Sequence, residues 1–411
     1  MTSYFEFPVS LRLVLVTRRY WPLVDETENL LASMAAEFAR QGVQVTVLTA
    51  RKQADWPERV VCQGVPIVRL WHPPPEVCGE FRYRRALTRW LRMHASEFDL
   101  AYVCGLRRDA GAALAAARSA GFPVVLRAER AGLSGDLHWQ LEARGGARLK
   151  RACYQADALV APCRAVEREF IAAGYPRGRI HRLTNGVPMV PTRTADDRLA
   201  ARVALAEEHV WLEMLPQAPL AVAAGPLEES HGFNHLVAGW PGIVARWPNA
   251  RLWIVGQGSC RGKLLTQIEA LGMSSWITLP GAFDELEDVL AAADLFVLPA
   301  LEEGMSPALL QAMAMGLPIV ATDIPAHREL IVANEHGLLV PAEDSDALTA
   351  AMECLLDDPA LATQLGWAAR TRVEREFSFD RMVEEHLSLF ESLRAGLPPS
   401  HAAALAAVPR A

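Results

Sequence analysis

Short runs rich in Val, Ile and Leu alternate with amphipathic helical stretches along nearly the whole chain, and nothing else in the sequence limits the fold so tightly. A short apolar run bounded by turns is a buried strand. When helical patterns separate such runs, the strands pair in parallel and helices cover both faces of the sheet. The first half offers strands at residues 11–17, 43–49, 67–70, 100–103, 124–127, 158–161 and 180–183, with helical patterns at 29–41, 82–95, 110–120 and 166–173. After the turn signal Thr184-Asn185-Gly186-Val187-Pro188 the alternation restarts. Strands follow at 220–224, 251–255, 276–279, 295–298 and 319–321, helices at 233–246, 264–271 and 308–315, and helix dominates from Ser345. At 411 residues the chain exceeds one ordinary core. The expected class is therefore α/β, with two doubly wound domains at 1–190 and 215–375 and a linker at 191–214. A C-terminal helix at 376–395 and a disordered tail at 396–411 complete the expectation. Such sheets bind ligands at the carboxyl ends of their strands, so two facing sheets predict a site in the cleft between them.

Composition narrows the class. With 51% hydrophobic and 22% charged residues the chain reads as soluble and globular. The apolar stretch at 11–16 is interrupted by Arg12 and followed by no small-residue cleavage site, so it reads as a first strand, not a signal peptide. No run approaches the ~18–20 apolar residues of a membrane span. Seven scattered cysteines without a Cys-x-x-Cys pair argue against a disulfide scaffold or zinc site and for a reducing, cytoplasmic setting. No nucleic-acid module is found. The net charge of −7 hides an asymmetry: residues 1–190 hold 27 Lys and Arg against 18 Asp and Glu, hence +9, and the remainder 14 against 30, hence −16. A basic half suggests an anionic partner, such as a membrane surface or an acidic acceptor; the alternative is a charge dipole without function. Segment 81–94 sharpens the first option. It places Arg82, Arg85, Arg89 and Arg92 on one helical stripe and Tyr83, Leu87, Trp90, Leu91 and His94 on another, as in an interfacial helix; the alternative is a helix packed on the sheet with a solvated face.

The most informative segment runs from Ala293 to Asp323. A buried strand ends at Pro299, a loop carries Glu303 and Gly304, Ser306 is placed as N-cap and Pro307 at the first helical position. The amino end of such a helix exposes free backbone N–H groups and the positive end of its dipole, which suits an anion or sugar hydroxyls. The Glu303-Gly304 pair, Ala312-Met313-Ala314-Met315-Gly316-Leu317-Pro318 and the strand that follows closely resemble the donor-site signature of the retaining GT-B glycosyltransferases. That family (family 4-like, "glycosyl transferases group 1") includes sucrose synthases and bacterial mannosyl- and glucosyltransferases. The resemblance extends to Asn185-Gly186-Val187, Val255-Gly256-Gln257-Gly258, Pro280-Gly281-Ala282-Phe283 and Gly337-Leu338-Leu339-Val340-Pro341.

The resemblance implies a GT-B fold of two Rossmann-like domains, with the C-terminal helix returning to the first. It also implies transfer of a hexose, with retention, from a nucleotide-diphosphate sugar to a glycan or lipid-linked acceptor, with no metal and no cofactor besides that substrate. Glu303 would contact the sugar hydroxyls, and Gly225, His231, Gly256, Gly258, Gly304, Met305, Ser306 and Gln311 would surround the donor. Four departures stand against this. Pro226 replaces the family's Arg, His231 its Lys and Gln311 its second Glu, while Asp25 and Glu26 occupy the segment where a Gly-Gly turn faces the diphosphate. Arg127, Arg261, Lys263 and Arg328 are the cations placed to compensate, and His138 is the nearest candidate for the family's first-domain histidine. The alternative reading is a catalytically silent GT-B protein acting as a binding or scaffold partner.

Overall fold

The computed structural model describes residues 10–22, 26–73, 79–132, 135–283 and 285–396. They fall into two compact units, one drawing on the chain up to Thr184 and again from Arg381, the other on Asn185–Asp380. The first unit holds β1 (Arg12–Val16), β2 (Gln44–Arg51), β3 (Arg59–Cys62), β4 (Val65–Trp71), β5 (Leu100–Cys104), β6 (Val124–Arg127), β7 (Ala158–Ala161) and β8 (Ile180–Arg182). They form one sheet in the order β3-β4-β2-β1-β5-β6-β7-β8, parallel except for β3. The second unit holds β9 (Leu220–Ala224), β10 (Arg251–Val255), β11 (Ile277–Gly281), β12 (Leu295–Leu298), β13 (Ile319–Thr322) and β14 (Leu338–Val340). This sheet is parallel throughout, in the order β11-β10-β9-β12-β13-β14. Both are doubly wound, as the alternation predicts. Strands β5, β7 and β9 are buried at every residue, which is why they appear in the sequence as unbroken apolar runs; β6 is buried as fully but ends in Arg127.

Among the departures from the expectations, three bear on the readings above. Strand β3 has no counterpart among the predicted strands, because as an antiparallel edge it leaves Val61 exposed and holds its register through the Gln63–Gly64 turn, both residues at positive φ. The span read as a linker, 191–214, contains the helix Ala195–Glu208. Thr194 and Asp197 close a capping box at its start, and Arg198 and Arg202, one turn apart, both reach Asp294 of the second unit. On the helix Gly79–Met93 the interfacial reading needs correction: Tyr83, Leu87 and Leu91 are buried, and Trp90 is half-buried and stacked on His94. The exposed face carries Arg82, Arg85, Arg89 and Arg92 with Phe81 and Met93.

The helix Phe379–Arg394 packs in the first unit through His386, whose Nδ1 donates to the Met382 carbonyl at 2.7 Å while Nε2 accepts the Tyr102 hydroxyl at 3.0 Å. Burial, with a contribution from the Arg127 charge, pushes this imidazole down to about 4, so the ring is neutral and both bonds form. Phe38 and Phe390 meet edge-on beside it. Of the tail expected to be disordered, 397–411 lie outside the described residues, as do Asp25 and Cys78. Among the described residues no helix is long and apolar enough to cross a membrane.

Candidate functional site

In the second unit, the loops after β9 and β10 cross backbone to backbone at the carboxyl edge. A Cβ on Gly256 would lie 2.0 Å from the Gly225 carbonyl, and one on Gly258 would lie 2.4 Å from that of Leu227. Only glycine permits this approach. The loops are joined by Gly225 N–H to Val255 (3.0 Å) and Leu227 N–H to Gln257 (2.9 Å). The acidic pair in the first loop is fully engaged. Glu228 accepts from the Ser259 N–H and hydroxyl, the hydroxyl bond first holding its carboxyl below the usual range, and Glu229 pairs with Lys263 at 2.6 Å. His231 closes a 3₁₀ turn with its ring over Gly225 and stacked on Phe233, Nδ1 lying 3.3 Å from the Ser230 hydroxyl. Pro226 is part of the same loop and brings neither a charge nor an N–H.

Next along the edge, β12 runs into the loop bearing Glu303 and then into the helix Pro307–Ala314. Ser306 caps that helix by accepting the Leu309 N–H at 3.3 Å, and Pro307 stands at its first position. Met305 is buried, and a Cβ on Gly304 would meet nothing within 4 Å, which leaves space beside the first-turn N–H groups. Gln311 lies half-buried on this helix. Glu303 does not project freely from its loop. Its side chain is 13% exposed, and Oε2 lies 3.2 Å from Nε2 of His327, which is fully buried at 0%. His327 belongs to the helix Pro325–Leu330 that follows β13, and its Nδ1 lies 2.7 Å from the Thr322 carbonyl. The Thr322 hydroxyl donates to the Ala300 carbonyl, tying the end of β13 to the loop that carries Glu303. Thus a three-residue network, Thr322–His327–Glu303, fixes this carboxylate.

His327 is absent from the residues singled out in the sequence. Its signal is faint there, because it lies 24 positions beyond its partner and only the parallel pairing of β12 with β13 brings the two together. The proposed compensating cations have other partners. Lys263 is paired with Glu229, Arg328 forms a bidentate bond to Asp323 (2.5 and 2.7 Å), and Arg261 donates to the Leu279 carbonyl. Arg127 lies in the first unit, 2% exposed, at the end of β6. His138 pairs with Glu142 one turn along its own helix. Glu26 begins the helix Glu26–Arg40. Among the described residues no three His, Cys, Asp or Glu side chains gather closely enough to hold a metal.

Residues 218–358 match the family described as glycosyl transferases group 1, and residues 27–186 match the glycosyl transferase 4-like domain. The chain belongs to the GT-B glycosyltransferases. One relative is the lipopolysaccharide core biosynthesis glycosyltransferase LpsE of Rhizobium meliloti, 28% identical over 46% of the chain; the match spans 54% of that relative's length. The GDP-mannose-dependent monoacylated alpha-(1-6)-phosphatidylinositol monomannoside mannosyltransferase of Corynebacterium glutamicum is 26% identical over 82% of the chain and 83% of its own. Among solved structures, Anabaena Alr3699/HepE in complex with UDP and glucose shares the fold with a TM-score of 0.74. It is 16% identical and aligns over 93% of this chain and all of its own.

Proposed function

We propose that this glycosyltransferase moves a hexose from a nucleotide-diphosphate donor, with retention at the anomeric carbon, to a glycan or lipid-linked acceptor, working in the cytoplasm and at the inner membrane face. The observation that carries the reading is the held carboxylate of Glu303 next to an open Gly304 and a capped helix N-terminus. Glu303 accepts hydrogen bonds from sugar hydroxyls. The N–H groups of Met305, Ser306 and Ala308, with His231, hold the diphosphate, whose negative charge grows as the sugar–phosphate bond breaks. Oriented N–H groups and a helix dipole thus stand in for the Arg and Lys that the loop after β9 lacks. The relative's dependence on GDP-mannose and the UDP and glucose bound by HepE support a nucleotide-sugar donor while leaving the base open.

Calorimetric titration with UDP, GDP, UDP-glucose and GDP-mannose tests this. At least one nucleotide is expected to bind more tightly than 1 mM, which corresponds to only ~4 kcal/mol. Glu303→Ala should leave that nucleotide's affinity intact and lower sugar transfer by on the order of 10²–10³-fold. Failure of all four ligands to bind below millimolar ends the donor-site reading.

A further inference from the structure

We propose that His327 is a positioning residue for Glu303, and that it turns the carboxylate so that Oε2 is held by the protein and Oε1 is presented to the donor sugar. This rests on the reading of Glu303 as the sugar ligand. The geometry of the ring carries the argument. Nδ1 faces the Thr322 carbonyl at 2.7 Å, and a carbonyl only accepts, so Nδ1 carries a hydrogen. Nε2 faces Oε2 at 3.2 Å, and an ionised carboxylate also only accepts, so a proton lies between ring and carboxyl, held by one or the other. In both cases His327 and Glu303 act as one hydrogen-bonded unit. The ring is wholly buried and Thr322 is itself tied to the Ala300 carbonyl, so the unit is anchored to two strand ends and cannot swing. Oε1 has no partner among the described residues. The arrangement limits a flexible side chain to one direction before any ligand arrives, the supporting contact that a binding carboxylate needs.

Two substitutions separate positioning from mere packing. His327→Asn keeps a donor for the Thr322 carbonyl but is too short to reach Glu303, whereas His327→Gln extends an amide N–H toward Oε2. The readout is the ratio of nucleotide to nucleotide-sugar dissociation constants, using UDP with UDP-glucose or GDP with GDP-mannose, whichever pair binds the parent protein. Thermal unfolding reports separately on the cost of altering a buried residue. His327→Asn is expected to lower the ratio about tenfold, the scale of one charge-assisted hydrogen bond, with affinity for the nucleotide alone unchanged. His327→Gln should restore most of it even if it unfolds at the same lowered temperature. A parent ratio near one overturns the role of Glu303 and this inference with it. A parent ratio well above one that His327→Asn retains overturns the inference alone.

Discussion

Both units end a parallel sheet in loops, yet they build those edges from different materials. The second unit relies mainly on backbone: glycine loops in contact, a capped helix amino end and the held carboxylate of Glu303, while its charged pairs, Glu229 with Lys263 and Asp323 with Arg328, are exposed. The first uses side-chain charge. Arg18 lies against the Tyr83 ring between Asp109, which it binds through Nε at 2.9 Å and also through Nη2, and Glu80 at 2.8 Å. Arg107 donates to the buried Asp136, which also accepts the Glu129 N–H, and burial followed by the charge of Asp136 pushes the Glu129 carboxyl up. Backbone donors are oriented by the fold and remain oriented when one neighbour is lost. Partly buried ion pairs of this kind, with a buried carboxylate and a half-exposed guanidinium, hold only as sets, because the partner of a lost charge stays behind with less compensation.

The largest expected effect breaks the comparison along that line. Asp109 is buried, and Asp109→Ala leaves Arg18 with Glu80 as its only carboxylate among those bonds. Stability should fall by about 2–3 kcal/mol, below the usual cost of breaking a buried pair because Glu80 remains and the Arg18 side chain is 31% exposed. Glu303→Ala in the second unit should cost less, about 1–2 kcal/mol, since it leaves a single ring nitrogen, Nε2 of the buried His327, without its partner. Urea unfolding of both variants is the measurement; equal losses would mean that the two edges are held alike.

The difference in materials also explains what the sequence discloses. Strands β6, β7, β9, β10 and β12 have the predicted limits because buried parallel strands are continuous apolar runs. Ser306 and Pro307 are legible because capping is local. The Glu303–His327 bond and the Arg18 set are not legible, since each joins residues that only strand order brings together. The engagement of Lys263 by Glu229 and of Arg328 by Asp323 is hidden for a related reason: a charge count says nothing about pairing.

A smaller effect concerns the outer surface of the first unit, where the charge of residues 1–190 is +9. We propose that Arg82, Arg85, Arg89 and Arg92, flanked by exposed Phe81 and Met93, associate reversibly with anionic lipid. Each basic residue near such a surface contributes about 1 kcal/mol, screened by salt over about a Debye length. In vesicle co-sedimentation the protein should bind anionic but not neutral liposomes and release as salt rises. Arg85→Glu with Arg89→Glu should weaken binding by roughly tenfold or more. Indifference to lipid charge at low salt would assign these arginines to a solvated face and the acceptor to solution.

The smallest expected effect tests whether one side-chain charge supplements the backbone of the second unit. His231 stands where the resemblance places a lysine, with its ring over Gly225 at the end of β9. An unperturbed imidazole titrates near pH 6.5, and a bound diphosphate raises that value because its negative charge favours the protonated ring. The bound-state value then exceeds the free one. The extra affinity is fully present below the free value and is lost as pH rises through the bound one. Nucleoside-diphosphate affinity should therefore fall by roughly three- to fivefold between pH 6 and pH 8, a contribution of about 1 kcal/mol. His231→Lys keeps its charge across that range, so its affinity should stay level and match or exceed the parent's. Identical binding by the parent protein and His231→Ala from pH 6 to pH 8 would show that the diphosphate rests on backbone N–H groups alone, with Arg261 the next cation to test.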